Sequence, residues 1–126
     1  LLPNYTWIPL SGMTREEMRD TLRRTKLHLD FGYFPGRDKI PREALISGAC
    51  LLTGRLGTSE FKEDLGIPEK YKLHDYEMQP EKVVELINHL MNNYEVVFEE
   101  FTSFRNFVMN EKQNMIECVK KLFPKP

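Results

Sequence analysis

The stretch Asp30-Phe-Gly-Tyr-Phe-Pro-Gly-Arg-Asp-Lys-Ile-Pro-Arg-Glu43 decides how the fold is read. It joins an apolar run over residues 26–31 to a short helix that opens near Pro41. A strand, a glycine-containing loop and a helix N-terminus, in that order, are how α/β proteins turn backbone N–H groups toward an anion. Gly32 and Gly36 allow close backbone approach. Pro41 suits the first helical position, where its missing N–H costs nothing. Arg37, Lys39 and Arg42 add positive charge, and Asp38 and Glu43 add acceptors for sugar hydroxyls. The loop therefore reads as a site for a phosphorylated, hydroxyl-rich ligand.

Working outward, the neighbouring segments repeat the strand–helix alternation. Residues 5–10 form a short apolar run and read as a strand. Thr14-Arg-Glu-Glu17 has the spacing of a capping box, with Thr14 at the N-cap and Glu17 three positions on. The helix it opens runs to about Thr25, with Met13, Met18 and Leu22 on one face. Residues 41–49 form a second helix, with Ala44, Leu45 and Ile46 toward the sheet and Gly48 at its end. Cys50-Leu-Leu-Thr53 is continuously apolar, the pattern of a central strand covered on both faces. Residues 71–74 read as an edge strand. This predicts an α/β fold, a Rossmann-like three-layer parallel sheet of about four strands with right-handed crossovers.

From residue 80 the period becomes helical. Pro80 opens a helix carrying Val83, Val84, Ile87, Leu90 and Met91. An aromatic stripe follows from Tyr94 through Val97, Phe98, Phe101 and Phe104 to Val108, and it reads as core or as a domain interface. A last helix is predicted over 114–122. The division is thus residues 1–79, the α/β part, and residues 80–126, a helical segment packed on it.

Composition narrows the classes. The chain has 126 residues, enough for one core, and its 40% hydrophobic and 29% charged content is that of an ordinary globular domain. A formal net charge of -1 gives no general pull toward nucleic acid. No apolar run reaches the length of a membrane span. Cys50 and Cys118 lie far apart in apolar surroundings and read as two buried thiols of a reducing compartment. The expected localisation is cytoplasmic, including the inner face of the membrane. His28, His74 and His89 lack metal-ligand spacing, so no metal or cofactor is expected.

Each candidate carries two readings. Glu43 either complements a helix dipole or accepts two ribose hydroxyls. Arg37, Lys39 and Arg42 are either a solvated loop or a phosphate clamp. Gly54-Arg-Leu-Gly-Thr-Ser59 is either a plain turn or the second wall of the same cleft, through Gly57, Thr58 and Ser59.

Trp7-Ile-Pro-Leu-Ser-Gly-Met-Thr14, Leu29-Asp-Phe-Gly32, Pro35-Gly-Arg-Asp-Lys-Ile-Pro-Arg-Glu-Ala44 and Gly48-Ala-Cys50 resemble the C-terminal, donor-binding half of GT-B-fold glycosyltransferases. The narrower likeness is to bacterial polysaccharide-biosynthesis proteins with a DFG-x-x-PGKDR-x-PRE stretch, over residues 7–74. By that resemblance Glu43 holds the ribose of a nucleotide-sugar donor, and backbone amides over 36–39 contact its phosphates. Such enzymes carry a second glutamate eight positions earlier, where this chain has Pro35; Asp38 is the nearest substitute. The resemblance implies a glycan acceptor, no bound metal and an N-terminal acceptor domain beyond this chain. On that reading the chain alone transfers no sugar, and it self-associates through an open sheet edge or the Phe-rich helices. The alternative is a non-catalytic α/β module that binds a nucleotide or a partner protein.

Overall fold

The computed structural model describes residues 5–34, 36 and 39–123, without the side chains of Lys39 and Lys112. The fold is α/β. Thr14 caps helix α1 (Arg15–Arg23): its Oγ1 accepts the Glu17 N–H at 3.2 Å, and Glu17 Oε1 accepts the Thr14 N–H at 3.5 Å. That reciprocal pair satisfies two of the N–H groups a helix start leaves open. The helix buries Thr21 and Leu22 and delivers the chain to strand β1 (Leu27–Asp30).

Helix α2 (Lys39–Ile46) crosses over to strand β2 (Cys50–Thr53), which pairs with β1 in parallel. The register sets Leu27 opposite Cys50 and Asp30 opposite Thr53. All four residues of β2 are buried, as the apolar run predicts for a strand covered on both faces. Gly48, at φ +102°, makes the turn out of α2, a conformation that L side chains rarely adopt.

The sheet has two strands among the described residues, not about four. Residues 5–10 form no strand: no backbone hydrogen bond ties them to β1, Pro9 has no N–H to give, and Trp7 and Ile8 stay exposed. Residues 71–74 supply only an isolated parallel bridge between Thr53 and Lys72, with the Leu73 N–H reaching the Thr53 carbonyl at 2.8 Å. Short 3₁₀ turns over Glu69–Tyr71 and Asp75–Glu77 flank that bridge and stop the ladder. Helix α2 starts two residues before Pro41, which still sits in the first turn where a proline is tolerated. Ile46 faces solvent rather than the sheet, whereas Ala44 and Leu45 are fully buried.

Three helices complete the chain: α3 (Pro80–Asn92), with Pro80 at its first position, α4 (Tyr94–Glu100) and α5 (Thr102–Leu122). The helix expected over 114–122 is the distal half of α5. Phe101, Phe104 and Val108 enter the core beside Leu45, Leu51, Leu52 and Tyr71. Beyond Val108 the helix runs clear of the core, which leaves Met115, Val119 and Leu122 exposed. Cys118 is consequently exposed, while Cys50 is a buried thiol; both are free.

Candidate functional site

Two loops leave the C-terminal ends of β1 and β2, and the fold ties them to each other. The Phe34 N–H donates to the Leu56 carbonyl at 3.1 Å, and the Thr58 N–H donates to the Phe34 carbonyl at 2.9 Å. Thr58 Oγ1 donates to the carbonyls of Phe34 and Gly36. Gly57, at φ +69°, makes this approach feasible: a Cβ there would lie 2.1 Å from the Phe34 carbonyl oxygen. At the base of the first loop, Asp30 Oδ1 accepts the Gly32 N–H at 3.0 Å, a local turn that bends the chain off the strand.

These contacts sort the expected site residues. Gly32 and Gly36 lie along the β1–α2 connection, Lys39 is the first residue of α2 and Glu43 lies within that helix. Arg37 and Asp38 lie outside the described residues. Glu43 is the fifth of the eight residues of α2, beyond the first turn in which an acid would complement the helix dipole; it is half-buried and engaged in a polar interaction. Thr58 and Ser59 serve the loops themselves. Ser59 is buried and its Oγ donates to the Leu56 carbonyl at 2.9 Å. Gly57 is the hinge of the same clamp.

Arg42 points away from the loop and into the protein. Its Nη1 meets Glu111 Oε2 at 2.9 Å, its Nη2 donates to the Asp64 carbonyl at 2.9 Å, and its guanidinium lies over the Phe104 ring. An arginine at this position on α2 faces α5, so its charge is committed to that helix pair.

Two further basic clusters lie within the fold. Arg105 is buried; its Nε donates to the Leu45 carbonyl at 2.8 Å and its Nη2 to the Ala49 carbonyl at 3.4 Å. The guanidinium stacks 3.9 Å from the Phe98 ring centroid. It thereby ties the last turn of α2 and the segment leading to β2 to α5, sharing the Leu45 carbonyl with the Gly48 N–H. Arg55 clamps the other side of β2 through the Lys72 carbonyl at 2.9 Å and Glu69 Oε2 at 2.8 Å. Lys72 is wholly buried, and its Nζ, 3.8 Å from Glu69 Oε1, has no hydrogen-bond partner among the described residues. Burial pushes its pKa down, against the pull of Glu69. The only sequence signals for these residues are a lysine inside the apolar triplet Tyr71–Leu73 and an arginine inside the aromatic stripe.

Among the described residues no cluster of three His, Cys, Asp or Glu side chains is placed to hold a metal ion. No described helix is long and apolar enough to cross a membrane. No family model, no curated protein and no solved structure matches the chain.

Proposed function

We propose that the β1–α2 connection binds the diphosphate of a nucleotide, with Glu43 accepting the ribose hydroxyls. The observation that carries this reading is the position of the connection. It leaves the C-terminal end of a parallel strand, runs through Gly32 and Gly36, and enters α2 at Lys39. Ligands of parallel α/β sheets bind outside the strand C-termini, where helix N–H groups meet anions. The clamp between Phe34 and Gly57 holds the loop's first half to the neighbouring strand's loop, which limits the ordering entropy that binding must overcome.

The resemblance of residues 30–44 to the donor half of GT-B glycosyltransferases makes a nucleotide-sugar the ligand class. The chain then contributes donor binding to a transferase that acts on a glycan, within a Rossmann-like three-layer arrangement and at a cytoplasmic location. Arg37 and Lys39 are the phosphate cations of this reading. Arg42 supports the site from behind by fixing α2 to α5.

Calorimetry with nucleoside diphosphates, nucleosides and inorganic phosphate tests the reading. Diphosphates should bind, and Glu43→Gln should weaken them about tenfold or more, since a charge-assisted hydrogen bond contributes on the order of 1.5–3 kcal/mol. An unchanged thermal melt must accompany that loss. Equal affinity of wild type and Glu43→Gln with normal melts overturns the ribose assignment.

A further inference from the structure

The two edges of the sheet are treated differently. Outside β2, the Lys72 bridge and the Leu73 N–H cover the edge. Outside β1 nothing does among the described residues. In the parallel ladder, Lys26 and Asp30 turn their carbonyls to β2, accepting from Cys50 and Gly54 at 2.8 and 3.3 Å. By alternation, the N–H and C=O groups of Leu27 and Leu29 point the other way. Among the described residues they meet no backbone partner. A groove of about 890 Å³ runs along this edge, between β1 and the unpaired segment carrying Trp7, Ile8 and Leu10, with Met91 at one side.

An unpaired edge is a template for another strand, and here the sequence states which one. Lys26-Leu-His-Leu-Asp30 is self-complementary when laid antiparallel on itself about His28. In that register Lys26 faces Asp30 of the second copy, Leu27 faces Leu29, and His28 faces His28. The backbone agrees. Leu27 and Leu29 become the hydrogen-bonded pairs through their outward groups, while 26–30 and 28–28 become the non-hydrogen-bonded pairs, whose side chains approach closest. Moving the centre to Leu29, a shift of two residues in register, keeps the hydrogen bonds and sets Asp30 against His28 but leaves Lys26 against Gly32. Moving it to Leu27 sets Lys26 against His28 and Asp30 against Arg24, which caps the end of α1 outside the strand, so only the register about His28 pairs Lys26 with Asp30 within β1.

We propose that the chain forms a two-fold dimer by antiparallel pairing of β1 with β1 of a second copy, centred on His28. The two-stranded sheet becomes a continuous four-stranded one, ordered β2–β1–β1–β2. Parallel pairs are ordinarily buried within larger sheets, and two strands alone are marginal. The exposed Trp7 and Ile8 flank the added strand and lose solvent there. The inference is independent of nucleotide binding.

Sedimentation equilibrium at micromolar concentration should give twice the chain mass. Lys26→Glu sets a carboxylate against Asp30 twice across the axis and should raise the dissociation constant at least tenfold. Lys26→Glu combined with Asp30→Asn should recover most of the affinity, because asparagine keeps an acceptor for the Gly32 N–H. Thermal melts verify that each variant folds. Register is read from His28→Cys in a Cys118→Ser background: facing cysteines at a non-hydrogen-bonded pair lie within disulfide reach, so mild oxidation should give a covalent dimer. A strict monomer, a dimer indifferent to Lys26→Glu, or a dimer whose His28→Cys variant does not cross-link overturns the proposal. Monomers in which residues 5–10 protect the Leu27 and Leu29 amides from hydrogen exchange would assign the edge to the chain's own segment and overturn it equally.

Discussion

Arg42 and Glu111, 69 positions apart in sequence, meet at 2.9 Å and join α2 to α5. The arginine belongs to the same Pro-Arg-Glu run whose glutamate is the proposed ribose contact. One turn of helix thus divides its labour. Glu43 is the residue proposed to meet the ribose, and Arg42 anchors the helix that carries it. The anchor is asymmetric, since the Arg42 side chain is far more buried than that of Glu111.

Arg42→Ala should therefore act on stability. It removes the ion pair and the hydrogen bond to the Asp64 carbonyl, and it empties the space over Phe104. Removing one member of a buried pair costs about 3–5 kcal/mol, reduced here because Glu111 keeps access to water. The expected loss is about 2–3 kcal/mol in urea unfolding. Arg42→Lys should recover only part, since a single ammonium cannot reproduce two divergent donors. A loss below ~0.5 kcal/mol would place Arg42 among ordinary surface residues.

Gly57→Ala and Gly12→Ala form a matched pair. Both glycines have nearly the same positive φ, 69° and 68°. An added Cβ at Gly12 meets nothing within 4 Å, whereas at Gly57 it collides with Phe34 backbone. Gly12→Ala should cost only the backbone penalty, about 1–2 kcal/mol. Gly57→Ala should cost about 3 kcal/mol or more, because the two loops must separate. Melting curves of the two variants decide it, and equal shifts would mean the loops tolerate separation.

The residues that escaped sequence reading share one physical cause. Local signals were legible: the Thr14 and Glu17 box, Pro80 at a helix start, and the apolar β2 all depend on neighbours in sequence. The β1–loop–α2 unit was legible for the same reason. Arg42 and Arg105 depend on partners as far as 69 and 60 positions away, Lys72 is buried by packing that its sequence neighbours do not show, and charge alone reads as solvent-facing. Residues 5–10 and 71–74 have strand composition, but a strand also needs a free ladder beside it. Thr58 and Ser59 have the hydroxyls a phosphate site uses, yet the facing carbonyls of Phe34, Gly36 and Leu56 take them first.

Lys72→Met should stabilise the protein at neutral pH. Among the described residues the buried Nζ has no hydrogen bond, and Glu69 keeps Arg55 as its partner when the lysine is gone. Methionine retains the apolar stem that packs beside Tyr71 and Leu73. The folded-state pKa of Lys72 is lowered, chiefly by burial. Folding therefore favours the neutral amine, and the penalty is present throughout the pH range below the ordinary lysine pKa. The expected gain is about 1 kcal/mol near pH 7, shrinking as the pH is raised toward 10 and beyond. A destabilised Lys72→Met would mean that the charge at Nζ is used.

Alkaline pH should unfold the domain through Cys50 before Tyr71. Burial pushes the Cys50 thiol from 9.0 up to about 11, partly offset by the nearby Arg105. The raised value means folding favours the protonated thiol. Its contribution is complete below pH 9 and is lost between about pH 9 and 11, a loss on the order of 2–3 kcal/mol. The Tyr71 hydroxyl is also raised, by burial and by its 2.7 Å hydrogen bond to Glu100, and weakens the fold only above its ordinary value of 10.0. Cys50→Ala should flatten the decline between pH 9 and 10 and leave the steeper fall above pH 10. At pH 8 a thiol reagent should label the exposed Cys118 alone in the native protein and both cysteines in denaturant. Native labelling of Cys50 at a rate near that of Cys118 would show that β2 opens far below the global unfolding free energy.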